Sequence, residues 1–232
     1  MNKIAYYLQE HLAGEVTSAA DVRRHFAHDA SILQISPAAI VYPRNESDVR
    51  KAVRFAWQLA ERGKKLPITA RGMGSDTSGA AIGSGMVLVF PAHMNKILSL
   101  NTKKRLMVLQ PGIDYATLEQ TLHTHNLCLP PYPASLNYAT IGGSIANNTI
   151  GEKSVKYGSI GNYVQSLRVV LANGEVIETG PLNKKELNHK LGLQSLEGEI
   201  YRSLDTLLEE NTEFITRCHD SIKARHNAAG YN

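Results

Sequence analysis

A glycine-rich segment that follows a short apolar run constrains the fold of this chain more than any other feature. It lies between strands predicted at 66–70 and 86–90, extends to Gly83, and begins Arg71-Gly72-Met73-Gly74-Ser75-Asp76-Thr77-Ser78-Gly79. Glycine lets several backbone N–H groups point at one spot and lets a ligand come close, as a phosphate requires. The segment lacks the Gly-Lys-Ser/Thr of a P-loop and the third glycine of a Gly-x-Gly-x-x-Gly fingerprint. By itself it predicts a diphosphate-binding loop or, as an alternative, a tight surface turn.

A second glycine-rich segment lies further along the chain. It is followed by Gly151 and Tyr157-Gly158, and it runs Thr140-Ile141-Gly142-Gly143-Ser144-Ile145-Ala146-Asn147-Asn148. The paired glycines let backbone approach a flat or charged ligand, and the two asparagine amides can donate to carbonyls or phosphates. The alternative is the N-terminus of a helix followed by loose turns.

The first part of the chain predicts strands and helices in alternation. We expect helical structure up to about Ala30, then a helix that Ser47 caps and Gly63 ends. On this helix Val49, Val53, Ala56, Trp57 and Ala60 share one face. The run at 86–90 is apolar throughout, which is typical of a strand covered on both faces.

The second part has a different pattern. A strand at 105–110 stops at Pro111-Gly112, and Asp114 caps a helix that Asn126 closes in a left-handed conformation. Asn173-Gly174 predicts a hairpin turn between strands at 164–171 and 175–179, because both positions tolerate positive φ. A helical tail begins near Glu199, with an apolar stripe of Ile200, Leu204, Leu207 and Leu208. The fold class is therefore α+β. It has a small, mostly parallel lobe (about 1–102), a larger mixed or antiparallel lobe (about 103–195) and a tail (about 196–232), with the lobe boundary near 101–104.

Composition excludes several classes of function. The net charge of +4 comes with lysines in isolated pairs, so no nucleic-acid-binding patch is expected. Two cysteines indicate a reducing compartment, and no apolar run approaches the roughly 18 residues of a membrane span. The N-terminus reaches a charge too early for a secretory signal, so we expect a cytoplasmic protein.

His123 and His125 lie two apart on a predicted helix and do not form a metal site with Cys128. Both Cys128 and Cys218 are expected to be small buried residues.

The order of these motifs resembles the FAD-binding (PCMH-type) domain of the vanillyl-alcohol oxidase superfamily. Within that superfamily the chain looks most like the FAD-linked D-2-hydroxy-acid dehydrogenases, of the glycolate oxidase, D-lactate dehydrogenase and D-2-hydroxyglutarate dehydrogenase types. Besides the two glycine-rich segments, the residues that carry the resemblance are Pro43, Asp48-Val49, Pro111-Gly112, Pro131, Pro133-Ala134-Ser135 and Val169 to Glu175.

The resemblance implies that two lobes clasp an extended FAD. The first loop would wrap the diphosphate through Arg71, Gly72, Met73, Gly74 and Ser75, with Gly79 beyond. The second segment would lie along the ribityl chain and isoalloxazine, through Pro133, Ala134, Ser135, Thr140, Gly142, Gly143, Asn147, Asn148 and Gly151, with Tyr157 and Gly158 after it. Tyr132 and Tyr157 are candidates for contact with the flavin, with packing as the alternative role.

The chain departs from the family pattern at several of these positions. Met73 stands where glycine is usual, Tyr132 stands where aspartate is often found, and Asp76 brings a negative charge to the diphosphate loop. This charge weakens binding unless the carboxylate turns outward or caps a loop amide. The positions of covalent flavin attachment fall at Ser75 and near Leu136, which cannot react, so noncovalent FAD is expected.

The resemblance also bears on activity. It implies hydride transfer from a small D-2-hydroxy acid to FAD, which gives a 2-oxo acid. The ending Ala229-Gly230-Tyr231-Asn232 resembles the segment before a substrate (cap) domain. We therefore expect that domain to be absent, to be supplied by further chain or a partner subunit, and to hold the catalytic residues. A lone cofactor domain is expected to self-associate through an uncovered apolar face. Two alternatives remain: a truncated or degenerate FAD- or nucleotide-binding module without turnover, and a flavoprotein of the superfamily with other chemistry, such as a sugar-nucleotide reductase.

Overall fold

The first part of the chain forms a four-stranded sheet. The computed structural model describes residues 2–221. The strands are β1 (Glu15–Thr17), β2 (Ala39–Tyr42), β3 (Ile68–Arg71) and β4 (Met86–Val89), and the helices are α1 (Lys3–His11), α2 (Ala20–His25) and α3 (Glu46–Glu61). The strand order is β1-β2-β4-β3. β1 pairs antiparallel with β2 at one edge, and the other pairs are parallel.

Both faces of this sheet are buried. Because side chains alternate along a strand, Met86 and Leu88 of β4 pack with α1 and α3 on one face. Val87 and Val89 pack on the other face with Phe26, which follows α2. The prediction of a strand covered on both sides is confirmed.

The glycine-rich loop is itself the crossover between two parallel strands. β3 and β4 are neighbours in the sheet and run in the same direction, so the chain must return along the sheet between them. Residues 72–85 make this return without a helix. The loop therefore leaves the carboxyl end of β3, as the sequence predicts, and reaches the amino end of β4.

The second part contains two antiparallel hairpins and short helices. The strands are β5 (Ile97–Asn101), β6 (Leu106–Leu109), β7 (Leu167–Val170) and β8 (Val176–Thr179). The helices are α4 (Tyr115–Thr124), α5 (Ile141–Ala146), α6 (Ser154–Tyr157), α7 (Lys184–Leu191), α8 (Leu196–Glu210) and α9 (Thr212–Ser221). Tyr115, Leu118 and Leu122 build a core here that is separate from the sheet. The α+β class is confirmed. The lobe boundary stays a prediction, and its position is the turn between β5 and β6.

Several local predictions are confirmed by backbone geometry. Asp114 caps α4 by accepting from the N–H of Thr117, and Asn126 after this helix is left-handed with φ 54°. Gly63 follows α3 with φ 74°. In the β7–β8 turn only Gly174 has positive φ, 83°, and the Leu171 carbonyl accepts from its N–H. The turn is thus a three-residue loop with a glycine bulge rather than a two-residue turn.

Other predictions about the first part are wrong. The N-terminal region is two helices with β1 between them, because β1 pairs with the distant β2. The cap of α3 is Asn45, not Ser47: the Asn45 side chain accepts from the N–H of Asp48 at 3.0 Å. Trp57 is 38% exposed, because its indole N–H donates to Glu61 on the helix surface.

Predictions about the cysteines and the missed elements also need correction. Cys128 is exposed and Cys218 is only half-buried, so neither belongs to a core. The sequence does not predict strand β5, because a charged turn interrupts its hairpin. It does not predict helix α7 either, because this segment is mostly polar, although Asn183 and Glu186 form a capping box.

The β7–β8 hairpin lies against α3, and the tail is mostly exposed. Arg168 on β7 donates to the Glu46 carboxylate on α3 through its Nε and Nη2, and the Arg50 Nε donates to the Gly174 carbonyl at 3.3 Å. On α8, Leu204, Leu207 and Leu208 are each more than half exposed. The predicted ending at 229–232 lies outside the described residues. Within residues 2–221 no helix has the length and hydropathy needed to cross a bilayer.

Candidate functional site

The two glycine-rich segments meet in space at a glycine–threonine contact. A Cβ placed on Gly72 would lie only 2.3 Å from Oγ1 of Thr140, so only glycine allows this approach. Gly72 is the first residue after β3, and Thr140 is the N-cap of α5. The structure therefore brings together the start of the first loop and the start of the second segment.

The first loop presents backbone N–H groups that the chain does not use. Within residues 2–221, the N–H groups of Met73, Gly74, Ser75 and Thr77 have no hydrogen-bond acceptor. Backbone donors need a partner, and a run of them in one loop forms an anion-binding concavity. These residues fit the diphosphate of a nucleotide cofactor.

The Arg71 side chain points away from such a ligand. It is buried, and its Nη1 donates to the carbonyls of His28 at 2.8 Å and Ala81 at 3.1 Å. Burial lowers the pKa of this guanidinium, which the nearby Asp29 carboxylate opposes. Arg71 therefore contributes to the loop as a structural residue, and the free donors come after it.

Asp76 caps the loop from within. Its carboxylate accepts from the N–H of Ser78, the hydroxyl of Ser78 and the N–H of Ala80, all at 2.8 Å. Burial raises the pKa of Asp76, but these hydrogen bonds outweigh burial and hold it below its usual value. The carboxylate is thus engaged with loop amides, which is the arrangement under which its charge does least harm to an anionic ligand.

Helix α5 is fixed by the turn before α4. The N–H of Ile141 donates to the Ile113 carbonyl, and the N–H of Gly142 donates to the Pro111 carbonyl, both at 2.9 Å. A Cβ on Gly142 would lie 2.7 Å from Cβ of Pro111. Gly142 is therefore a packing residue, and the local structure is a helix start, as the alternative interpretation of this segment had it.

Gly143 is the glycine of the second segment that faces open space. It is exposed, and the nearest atom to a Cβ built on it would be Oγ1 of Thr140 at 3.4 Å. A flat ring can approach the backbone closely at this point. Ser144, next in the chain, is buried and turned inward.

The residues after α5 contribute side chains rather than free backbone. The Asn147 side chain is exposed and makes no hydrogen bond within the described part of the chain. Asn148 has φ 44°, and its backbone N–H donates to the Ile145 carbonyl at 3.0 Å. Its side-chain oxygen accepts from the N–H of Gly161 at 3.1 Å, and its side-chain NH2 group has no acceptor within the described residues. Both amides remain available as donors.

The remaining predicted residues shape the wall of the site. Gly151 packs on the backbone of Tyr132, since a Cβ on this glycine would lie 1.8 Å from the Tyr132 carbonyl oxygen. Gly158 is buried with φ 79°, and Tyr157 is 41% exposed. The segment Pro133-Ala134-Ser135 leads into a 3-10 turn at 136–138, where the N–H of residue 136 donates to the Pro133 carbonyl.

Two lysines flank this wall. Lys153 Nζ lies 5.1 Å from the ring centre of Tyr132, and Lys156 Nζ lies 5.1 Å from that of Tyr157. Neither lysine has a carboxylate partner within residues 2–221. The wall is therefore positively charged around two tyrosines.

The histidines set aside on sequence grounds do not converge. His123 lies 3.4 Å from the Glu119 carboxylate one turn earlier, and His125 is the C-cap of α4. No group of three metal-ligating side chains occurs in the described part of the chain.

Sequence reasoning missed the contacts that residues 29–31 make with the first glycine-rich loop. The N–H of Ala30 donates to the Gly74 carbonyl at 3.1 Å, and the Asp29 carboxylate accepts from Ser31 and from the N–H of Ala81. The Asp-Ala-Ser pattern at 29–31 was an available signal, because Asp followed two residues later by Ser commonly forms a local turn.

This geometry defines a class of protein. A loop with free backbone donors leaves a parallel strand and abuts a helix start that exposes a glycine, with positive charge beside it. That arrangement is typical of a domain that binds a nucleotide cofactor.

Comparison with known proteins gives the family. Residues 37–180 match the model of the FAD binding domain family, so the chain belongs to the FAD-binding domain family. The cofactor and the family expected from the motifs are confirmed.

The similar proteins are named as a dehydrogenase and as a subunit of an oxidase. The chain is 33% identical over 178 residues to D-2-hydroxyglutarate dehydrogenase of Haemophilus influenzae, covering 77% of this chain and 17% of that protein. It is 34% identical over 158 residues to glycolate oxidase subunit GlcD of Bacillus subtilis, covering 67% of this chain and 32% of that one. The chain thus spans a third or less of the length of these relatives.

A solved structure supports the fold. An alkyldihydroxyacetonephosphate synthase aligns with a TM-score of 0.67 at 24% identity, over 80% of this chain and 35% of that one. At this identity the likeness shows the fold alone, and it agrees with the PCMH-type architecture expected from the sequence.

Proposed function

We propose that this chain binds FAD noncovalently and forms the cofactor-binding part of an oxidoreductase that converts a small D-2-hydroxy acid to its 2-oxo acid. The observation that carries the proposal is the contact of Gly72 with Thr140, which joins the free donors of residues 73–77 to the exposed Gly143. The relatives named for 2-hydroxyglutarate and glycolate support the substrate class.

In this proposal the two glycine-rich segments bind different parts of FAD. The N–H groups of Met73, Gly74 and Ser75 would hold the diphosphate, and Gly143 with the Asn147 amide would lie along the flavin. Bound FAD supplies the hydride acceptor, and the protein orients it. No catalytic acid or base is assigned to this chain. In this proposal the substrate-binding residues come from further chain or from a partner subunit.

The first test is flavin retention. The chain is mixed with excess FAD, desalted and examined by its visible spectrum, with FMN in parallel because FMN lacks the diphosphate-linked adenosine. We expect FAD to be retained, to be released by heat or acid, and to be held better than FMN. A protein that retains neither flavin, alone or with a supplied substrate domain, would contradict the proposal.

A matched pair of variants localises the flavin. Gly143→Leu fills the open face of the second segment, whereas Gly192→Leu adds the same side chain at the exposed C-cap of α7, where the nearest atom is also 3.4 Å from a Cβ. We expect both variants to fold and only Gly143→Leu to lose FAD. Equal FAD binding by the two variants would remove Gly143 from the site.

Turnover distinguishes an enzyme part from a binding module. With a substrate domain supplied separately, we expect 2-hydroxy acids to reduce the bound flavin, seen as bleaching of its visible band. Flavin that is bound but never bleached by any 2-hydroxy acid would favour the binding-module alternative.

We also propose that the chain self-associates through an apolar stripe on α8. The α8 stripe exposes Leu204, Leu207 and Leu208 by 51%, 54% and 56%, and exposed apolar surface of this kind drives association. We expect the sedimentation coefficient to rise with protein concentration and to become constant in Leu204→Glu/Leu207→Glu. A concentration-independent monomer would contradict this expectation.

A further inference from the structure

Residues 26–33, here the bracing segment, contact the first glycine-rich loop along most of its length. They precede residue 37, where the match to the FAD binding domain family begins. They follow α2 and lie beside the loop although more than forty positions separate the two in sequence.

The first contact is at the start of the loop. The Arg71 guanidinium lies 5.1 Å from the ring centre of Phe26 and donates to the His28 carbonyl at 2.8 Å. The same nitrogen donates to the Ala81 carbonyl at the far end of the loop. A Cβ on Gly74 would lie 2.3 Å from the other terminal nitrogen of Arg71. The side chain of Arg71 thus joins the bracing segment to both ends of the loop.

Asp29 and Ala30 make the next contacts with the loop. The N–H of Ala30 donates to the Gly74 carbonyl at 3.1 Å, so this carbonyl is turned toward the bracing segment. Asp29 accepts from the N–H of Ala81 at 3.4 Å and from Ser31. Burial raises the pKa of Asp29, but its hydrogen bonds prevail and keep the pKa below its usual value.

Leu33 makes the last contact. Its Cδ1 lies 2.7 Å from the position of a Cβ on Gly79, whose φ is 86°. Leu33 is still 48% exposed, whereas its neighbour Ile32 is fully exposed. Leu33 therefore packs on the loop without belonging to a core, and Ile32 offers a control of similar size.

We propose that the bracing segment positions the loop so that the N–H groups of residues 73–77 are held ready for the FAD diphosphate. The inference rests on the proposed FAD-binding function. A preorganised loop binds more tightly because it loses less conformational freedom when the ligand arrives. Leu33 is a positioning residue, since it contacts the loop and not the cofactor.

The test compares Leu33→Ala, Leu33→Met and Ile32→Ala with the wild-type chain. Hydrogen–deuterium exchange of the apo chain reports the order of residues 72–81 directly, and flavin fluorescence quenching reports the dissociation constant of FAD. In Leu33→Ala we expect faster exchange in the loop and an FAD dissociation constant raised about fivefold, as half the burial of a leucine is lost. Leu33→Met should restore both, and Ile32→Ala should change neither.

The location of the faster hydrogen–deuterium exchange distinguishes a positioning role of Leu33 from a general effect on the stability of the domain. If Leu33 only stabilised the whole domain, Leu33→Ala would raise exchange in β2 and β4 as much as in the loop. Loop exchange equal to that of Ile32→Ala overturns the proposal, whether or not FAD binds. A wild-type chain that retains no FAD, alone or with a supplied substrate domain, overturns the proposed function instead, and loop exchange still decides whether the segment braces the loop.

Discussion

At the scale of single residues, one departure from the family pattern, Asp76, has a structural explanation. Asp76 looks unfavourable beside a diphosphate, yet in the structure it accepts three hydrogen bonds from Ser78 and Ala80. The shape that these bonds give to the loop leaves the donors of residues 73–77 free. The benefit of this cap and the cost of its charge can be separated by mutation.

We predict that Asp76→Ala weakens FAD binding about tenfold or more, because hydrogen bonds to a charged group contribute roughly 1.5–3 kcal/mol. Asp76→Asn keeps an acceptor and removes the charge, so its loss should be smaller. Titration with FAD measures both. If Asp76→Ala binds FAD more tightly than the wild-type chain, repulsion dominates and the capping role is wrong.

A second residue-scale prediction concerns pH. Hydrogen bonds from Arg44 and His93 lower the pKa of Glu15 to about 2. A carboxyl whose folded pKa is depressed contributes stability above its unfolded value, near 4.5, and this contribution is lost as pH falls toward 2. We expect Glu15→Gln to be less stable than wild type at pH 7 and to approach the stability of wild type as pH falls through about 2. Because the pair is about half exposed, the difference should shrink in salt.

Melting temperatures measured across pH, with Glu10→Gln as a control, check this prediction. A constant difference between Glu15→Gln and wild type from pH 7 to pH 2 would contradict it.

At the scale of elements, local sequence signals predicted where helices end better than they predicted which strands pair. Asp114, Asn126 and Gly63 mark helix ends through bonds within a few residues, and sequence shows such bonds directly. β1 was missed because its three residues are held by β2, a partner that local periodicity cannot reveal. The sequence predicts the two segments that the structure brings together at Gly72 and Thr140, but it does not predict what each of their residues contacts. Arg71 and Gly142 turned out to pack inward, because the partners that hold them are distant in sequence.

The β7–β8 hairpin gives an element-scale prediction. Gly174 has φ 83°, and a Cβ there would lie 3.0 Å from Cβ of Arg54 on α3; Gly63 has φ 74° and nothing within 4 Å. Gly63→Ala should therefore lower the free energy of unfolding by about 1–2 kcal/mol, because only the positive φ strains the alanine. Gly174→Ala should cost about 1–3 kcal/mol more, since the hairpin must shift on α3. Urea unfolding measures both, and equal losses would show that the hairpin docks loosely.

At the scale of the whole molecule, Gly72 and Thr140 hold the two parts together at the site. A Cβ on Gly72 would lie 2.3 Å from the Thr140 hydroxyl oxygen, and one on Gly143 would lie 3.4 Å from the same atom. We predict that Gly72→Ala lowers stability by about 1–3 kcal/mol. Gly143→Ala should be neutral or raise stability by up to about 1 kcal/mol, because alanine favours the helix.

Thermal unfolding of the apo chain tests this pair. If Gly72→Ala melts at the wild-type temperature, the contact is not tight and the two segments do not depend on each other. If it melts lower, FAD should restore part of the loss, because a ligand that binds the folded state raises its stability by mass action.

The crossover loop between β3 and β4 has a consequence for insertions and deletions. A crossover between parallel strands takes about a dozen residues or more, and the segment 72–85 is close to that length although it contains no helix. The same loop carries the amide donors of residues 73–77 that have no acceptor within the described residues. We expect a deletion of two or three residues within 74–80 to straighten this loop. The parallel pairing of β3 and β4 should survive the deletion. Such a variant would keep the circular dichroism of the wild type and lose FAD, whereas a short insertion at the same place would be tolerated by the sheet. The length of this loop should therefore matter more to cofactor binding than to the sheet.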